Sequence, residues 1–145
     1  MIRPDPRKQG KKTGAETSTA TAAAPAKRRR VTVVTFGFKY GQPNTNHYFD
    51  VSFVKNPARE ARWDLFSQPC DDMRRFVLDQ SSCRAFLESA VPLIRTLVEV
   101  DDDVRIGVGC NSGRHRSCII GEELVRRLEN DHTQVRLMHR EERFA

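Results

Sequence analysis

The 145-residue sequence predicts a single three-layer α/β domain with a small, mostly parallel sheet, preceded by a disordered basic tail. Three observations carry this. First, residues 104 to 128 read as strand, glycine-bearing turn and helix: Val104, Ile106 and Val108 form an apolar run, and Ile120, Leu124, Val125 and Leu128 then recur at helical spacing. Second, a β-branched run, VTVVTF, starts abruptly at Val31 after thirty residues without core-forming periodicity. Third, three apolar runs each end in polar or charged groups. Sheets whose strand carboxyl ends face one crevice bring such groups together.

Length and charge bound the reading further. A chain of this size has room for one domain with a real core. Residues 1 to 30 hold nine Lys/Arg against Asp5 and Glu16, a net of +7, and the remainder nets −1. The basic balance therefore belongs to the tail, and the body is no generic basic nucleic-acid binder. Cys70, Cys83, Cys110 and Cys118 form no CxxC pair and no zinc spacing, so reduced thiols in an intracellular compartment are expected, with neither metal nor cofactor. No run reaches membrane-span length and no signal-peptide core is present.

In chain order, residues 1 to 30 form the expected disordered tail and residues 31 to 145 the domain. Lys27, Arg28, Arg29 and Arg30 suit a nuclear-import or RNA-contacting patch. The composition also leaves organellar import open, though Pro4, Pro6 and the lysines make a poor amphipathic helix, and a plain solubilising leader is the bland alternative. The first strand breaks at Gly37 into a loop carrying Lys39, a cation placed where α/β sheets hold ligand groups. HYFDVSFV (47–54) alternates as a half-buried strand. After the Asn56-Pro57 turn, residues 55 to 70 look irregular. A short helix is expected from Asp71 and a longer one from about Ser82, which Pro92 should bend or split. QVRLM (134–138) reads as the last strand, delivering His139 and Arg140 at its end.

The chemistry concentrates at residues 110 to 117. A turn feeding a helix N-terminus aims free backbone N–H groups at one point, where the helix dipole is positive, and Arg114 and Arg116 add forked donors. This is an anion site, best suited to phosphate. Cys110 to Arg116 also reads as C-x5-R, the loop of cysteine-dependent phosphatases, with Asp64 beside Trp63 as the acid such an enzyme would need. The bland alternative for Cys110, a small buried residue at a strand end, is favoured. His115, between two arginines, reads as a neutral donor. Walker and Rossmann glycine patterns are absent or incomplete.

At TFGFKYG (35–41), YFDVSFVKNP (48–57), GCNSGRHRS (109–117) and MHRE (138–141), the chain resembles the C-terminal domain of the RapZ family of RNase adapters. That family's loop runs close to GC-T-G-G-[KR]-HRS. The resemblance implies a small α/β domain related to phosphofructokinase-like sheets. It implies binding of an amino-sugar phosphate, glucosamine 6-phosphate, and of structured RNA, with a homo-oligomer among its partners. By motif match Lys39, Cys110, Gly113, His115, Arg116, Ser117, His139 and Arg140 fall in the family's pocket region, and Asn111, Ser112 and Arg114 complete the loop. Two departures stand out. Asn111-Ser112 replace Thr-Gly, and the histidine that usually follows Asn-Pro is missing from Asn56-Pro57-Ala58-Arg59. The basic tail is expected in place of the family's nucleotide-binding domain, which removes any basis for ATP binding.

The expected function is non-catalytic: sensing of a phosphorylated metabolite, RNA binding, or both. RNA contacts are expected at Arg114, Arg116 and Arg140 and along the tail at Lys27, Arg28, Arg29 and Arg30. The rival reading is a cysteine phosphatase using Cys110, Arg116 and Asp64.

Overall fold

The protein is described here by a computed structural model covering residues 29–141. Lys27, Arg28 and the rest of the expected tail lie outside the described residues. The four strands are β1 (Arg29–Gly37), β2 (His47–Asp50), β3 (Asp103–Cys110) and β4 (Thr133–His139). The three α-helices are α1 (Asp71–Leu78), α2 (Ser81–Val100) and α3 (Arg116–Leu128). The strands form one all-parallel sheet in the order β2-β3-β1-β4. The expected α/β domain is therefore present.

The two faces of the sheet are covered differently. Val31, Val33, Val104, Ile106 and Val108 share a single core with Leu87, Ile94, Ile119, Ile120 and Leu124 of the helices. On the opposite face the upper half of the sheet is covered by rings. A Cβ placed on Gly109 would stand 2.6–2.8 Å from Phe36 and Phe38, and one on Gly107 would meet Thr45 and Tyr48 at 3.0 Å. The strand carries glycine there because ring atoms of Phe36, Phe38 and Tyr48 occupy the space a Cβ would need. Phe36 meets Phe38 and Tyr48 edge-on, with centroids 4.8 and 6.2 Å apart. The connection leaving β1 passes β3 to reach β2, and that leaving β3, through α3, passes β1 to reach β4.

Three details differ from expectation. β1 begins at Arg29, two residues before Val31, so Arg29 and Arg30 belong to the sheet and not to the tail. Their amides donate to the carbonyls of His132 (3.0 Å) and Asp102 (3.2 Å), and the Arg29 guanidinium pairs with the Asp102 carboxylate. β2 stops at Asp50 and does not run to Val54. The cause is local: the Asp50 carboxylate accepts the Ser52 amide at 2.9 Å, an Asx turn that diverts the chain. Finally, α2 passes through Pro92 as one element. The hydrogen bond Pro92 denies would have gone to Glu88, and both residues are exposed, so water can serve that carbonyl.

Candidate functional site

Parallel pairing puts all four strand carboxyl ends on one edge. Gly37 lies level with Cys110, Thr35 with His139, and Asp50 with Gly109. The segments leaving β1, β3 and β4 are stitched together where they emerge. The Lys39 amide donates to the Asn111 carbonyl at 3.3 Å, and the Gly37 amide donates to the Glu141 carboxylate at 2.7 Å. Gly113 takes φ +72° and sits against β1, where a Cβ would fall 2.4 Å from the Gly37 nitrogen. Only glycine meets both conditions. The loop then enters α3 with His115 as its cap residue, leaving first-turn amides without helical partners.

The loop residues divide sharply by role. Cys110 is buried, and its thiol donates to the Ser117 hydroxyl at 3.3 Å; Ser117 is itself fully buried. Arg116, 8% exposed, donates from one guanidinium nitrogen to the carbonyls of Ser52 (2.8 Å) and Val54 (3.1 Å). It thereby ties the start of α3 to the segment that follows β2. His115 is buried too, and its Nε2–H donates to the Ser67 carbonyl at 2.6 Å. Burial, more than the adjacent charges of Arg114 and Arg116, pushes its imidazolium below the ordinary range, so the ring is a neutral donor already engaged. Arg114 stacks towards the Phe66 ring, 5.3 Å from its centroid. Asn111 is exposed and Ser112 half-buried.

The other strand ends contribute unequally. Arg140 lies 5.6 Å over the Phe36 ring and forms an ion pair with Glu141 at 2.9 Å. Lys39 is exposed, with its ammonium 5.2 Å over the Tyr40 ring. His139 turns inward, beneath α3. Its Nδ1 stands 2.7 Å from the Thr35 hydroxyl and its Nε2 3.4 Å from the Glu122 carboxylate. Asp64, the acid the phosphatase reading needs, is exposed and accepts the Phe66 amide at 2.8 Å, closing its own turn.

Two openings flank the loop. One, of about 400 Å³, lies between the 52–60 segment and the start of α3, lined by Lys55, Asn56, Arg59, Glu60 and Arg116. It adjoins a recess of about 10 Å³ under Cys110, Ser112 and His115, enough for roughly one water. The second, also about 400 Å³, lies between Tyr40, Arg114, Arg140 and Glu141. Arg114 lines both the recess and the second opening. The fold thus brings Arg114 and Arg140 together and sets Arg116 on the other side of the loop. Lys39 and His139 line neither opening. Sequence reasoning passed over Lys55, Asn56 and Arg59. The available signal was a turn-forming Asn-Pro with a cation on each side, in which Asn56 accepts the Ala58 amide at 3.0 Å.

His139 carries a pH signature. The Cys118 sulfur and then the Glu122 carboxylate hold its imidazolium well above its ordinary value of 6.5, up to about 10. A raised folded-state value means its contribution to stability is complete below about pH 6.5 and is lost as pH climbs towards about 10. The urea midpoint of the protein is accordingly expected to fall through that window, and His139→Gln to flatten the decline. An equally steep decline in His139→Gln would assign it to other groups.

Comparison with known proteins follows the same boundaries. A family model described as the RapZ C-terminal domain matches residues 29–143. A nucleotide-binding protein of Clostridium beijerinckii is 33% identical over 123 residues, which are 81% of this chain and 42% of that protein. One from Corynebacterium jeikeium is 36% identical over 126 residues, covering 83% and 43%. One from Trichlorobacter lovleyi is 37% identical over 117 residues, covering 77% and 41%. The chain spans about two fifths of the length of these relatives.

Proposed function

The chain belongs to the RapZ C-terminal domain family, and we propose that it is a non-catalytic sensor that binds a phosphorylated amino sugar, glucosamine 6-phosphate, in the opening between the 52–60 segment and α3. The observation that carries this is the lining: Lys55, Arg59 and Arg116 surround one opening beside the N-terminus of a thirteen-residue helix, against the single acid Glu60. A phosphate drawing two or three charge-assisted bonds gains ~1.5–3 kcal/mol from each. Ordering and desolvation costs leave an affinity of about micromolar to millimolar. The second opening, with Arg114 and Arg140, would take phosphates of a structured RNA. Because Arg114 also borders the recess beside the first opening, the sugar phosphate should compete with that RNA. The four free cysteines support a reducing, intracellular setting.

The geometry gives the phosphatase reading little support. The Cys110 thiol is buried against Ser117, and Asp64 closes a turn of its own.

Calorimetric titration with glucosamine 6-phosphate, the matching neutral amino sugar and inorganic phosphate tests the proposal. Binding of the sugar phosphate is expected, and the Lys55→Ala/Arg59→Ala double variant should bind it roughly tenfold or more weakly, since each charge-assisted bond removed is worth ~1.5–3 kcal/mol. Affinity unchanged in that variant would remove the opening from the site. Turnover of an aryl phosphate that disappears in Cys110→Ser would instead make the protein an enzyme.

A further inference from the structure

The lower half of the sheet face opposite the helices is uncovered. Phe36, Phe38 and Tyr48 protect the carboxyl ends of the strands, but nearer the amino ends the side chains reaching this face are polar. Thr32 lies level with Arg105 on β3 and with Arg136 on β4, and Arg30 lies level with Asp103 and Gln134. Alternation places Arg30, Thr32, Arg105, Gln134 and Arg136 on one side of the sheet, and together they line a shallow depression of about 200 Å³. Arg105 and Arg136 flank the central strand, so their Cα atoms are about 10 Å apart at ordinary strand spacing.

These arginines differ from most others in the molecule. Arg75 and Arg84 each hold a carboxylate. Among the described residues Arg30, Arg105 and Arg136 have no ion pair or hydrogen bond from their side chains, although Asp103 stands beside them. Three unpaired guanidinium groups against one acid are a local departure in a chain that nets −1 from residue 31 onward. Such a cluster repels itself unless an anion covers it.

The occupant can be narrowed by what the face lacks. β1 is paired on both sides, and a peptide strand added to the free edge of β4 would extend the sheet sideways without covering this face. A folded protein partner needs apolar surface to bury, and the exposed apolar surface here is little more than Met138, since Val34 is 9% exposed. What the face does offer is a row of cations and, at its upper margin beside Arg105, the Tyr48 ring, 39% exposed and held edge-on by Phe36. Cations that track a backbone, with an aromatic ring to receive a base, are the elements that bind single-stranded nucleic acid.

We infer that this open sheet face binds a single-stranded nucleic-acid segment, with Arg30, Arg105 and Arg136 on its phosphates and Tyr48 stacked on a base. The inference rests on the RNA half of the proposed function and adds a surface whose arginines lie towards the amino ends of the strands, away from the carboxyl-end openings.

The test uses the full chain, a short mixed-sequence RNA oligonucleotide, a DNA of the same sequence and a polyglutamate peptide, read by fluorescence anisotropy across a salt series. The Arg105→Glu/Arg136→Glu variant changes two exposed strand positions and should keep its fold, as circular dichroism would report. It is expected to weaken RNA binding roughly tenfold and to reduce the slope of log affinity against log salt by about 1.4, or ~0.7 for each phosphate no longer neutralised. Its calorimetric titration with glucosamine 6-phosphate should remain that of the parent. Tighter binding of the RNA than of the DNA would point to the 2′-hydroxyl as a further contact, and equal binding to the shared phosphates and bases; either result fits the surface. Unaltered affinity and slope in the double variant would overturn the inference and leave the rest of the RNA reading standing. A parent chain that binds no RNA at any salt would end both. Polyglutamate held more tightly than RNA would assign the face to an acidic protein instead.

Discussion

Arg116→Ala is expected to abolish saturable binding of glucosamine 6-phosphate and to lower the free energy of unfolding by about 2–4 kcal/mol. The two effects share one cause. The guanidinium is 8% exposed and one of its nitrogens serves the carbonyls of both Ser52 and Val54. Truncation removes two charge-assisted bonds, opens a void at the first turn of α3 and frees the segment that carries Lys55, Asn56 and Arg59. Arg116→Lys keeps the charge and a donor for the two carbonyls but lacks the remaining guanidinium N–H groups that could turn to the phosphate, so it should recover stability more fully than binding. Urea unfolding and calorimetry on the same samples separate the contributions. A destabilised Arg116→Ala that still binds the sugar phosphate with parental affinity would make Arg116 a purely structural tie.

Gly113→Ala should be as damaging, by about 3–5 kcal/mol, although it adds a single methyl group. Part of the cost is conformational, because φ +72° is a left-handed backbone that costs an L-residue ~1–2 kcal/mol. The larger part is collision. The added carbon would lie 2.4 Å from the Gly37 nitrogen and 2.6 Å from the Phe36 carbonyl carbon. Neither can retreat, since β1 is hydrogen-bonded to β3 and β4 and the Gly37 amide is held by Glu141. Gly113→Asn distinguishes the two parts. Asparagine tolerates left-handed φ, so if conformation alone mattered it would largely rescue thermal stability. If collision dominates, Gly113→Asn should melt as low as Gly113→Ala.

Local pattern carried most of the architecture. The β-branched run at Val31, the apolar alternation ending at Gly109 and the helical spacing from Ile120 to Leu128 each appear as the element their periodicity implies, because burial of one face imposes that period. The turn from Cys110 to Ser117 was legible for a related reason: glycine beside small polar residues at a strand-to-helix junction has few alternatives. Boundaries were less legible where a single side chain decided them. Asp50 ends β2 by capturing the Ser52 amide, and Arg29 and Arg30 join β1 because the residues just before β4 and β3, His132 and Asp102, accept their amides.

What sequence alone determined, then, is the class of fold, the order of its elements and the position of a basic loop at a helix N-terminus. These depend on contacts within a few residues of one another. Which of the polar residues face outward was decided by tertiary structure. His139 and Arg140 are adjacent in the chain, yet strand alternation sends one beneath α3 to Thr35 and Glu122 and the other to an opening shared with Arg114. Arg114 and Arg116 part in the same way: α3 begins at Arg116 and buries it, while Arg114 stays in the turn. The two cations that complete the proposed phosphate opening, Lys55 and Arg59, come from a segment about fifty residues upstream, brought in by the pairing of β2 with β3 and by the reach of Arg116. The exposed row of Arg105, Thr32 and Arg136 arises from register between three strands far apart in the chain. Such pairings depend on long-range burial and hydrogen bonding, and no spacing along one chain encodes them.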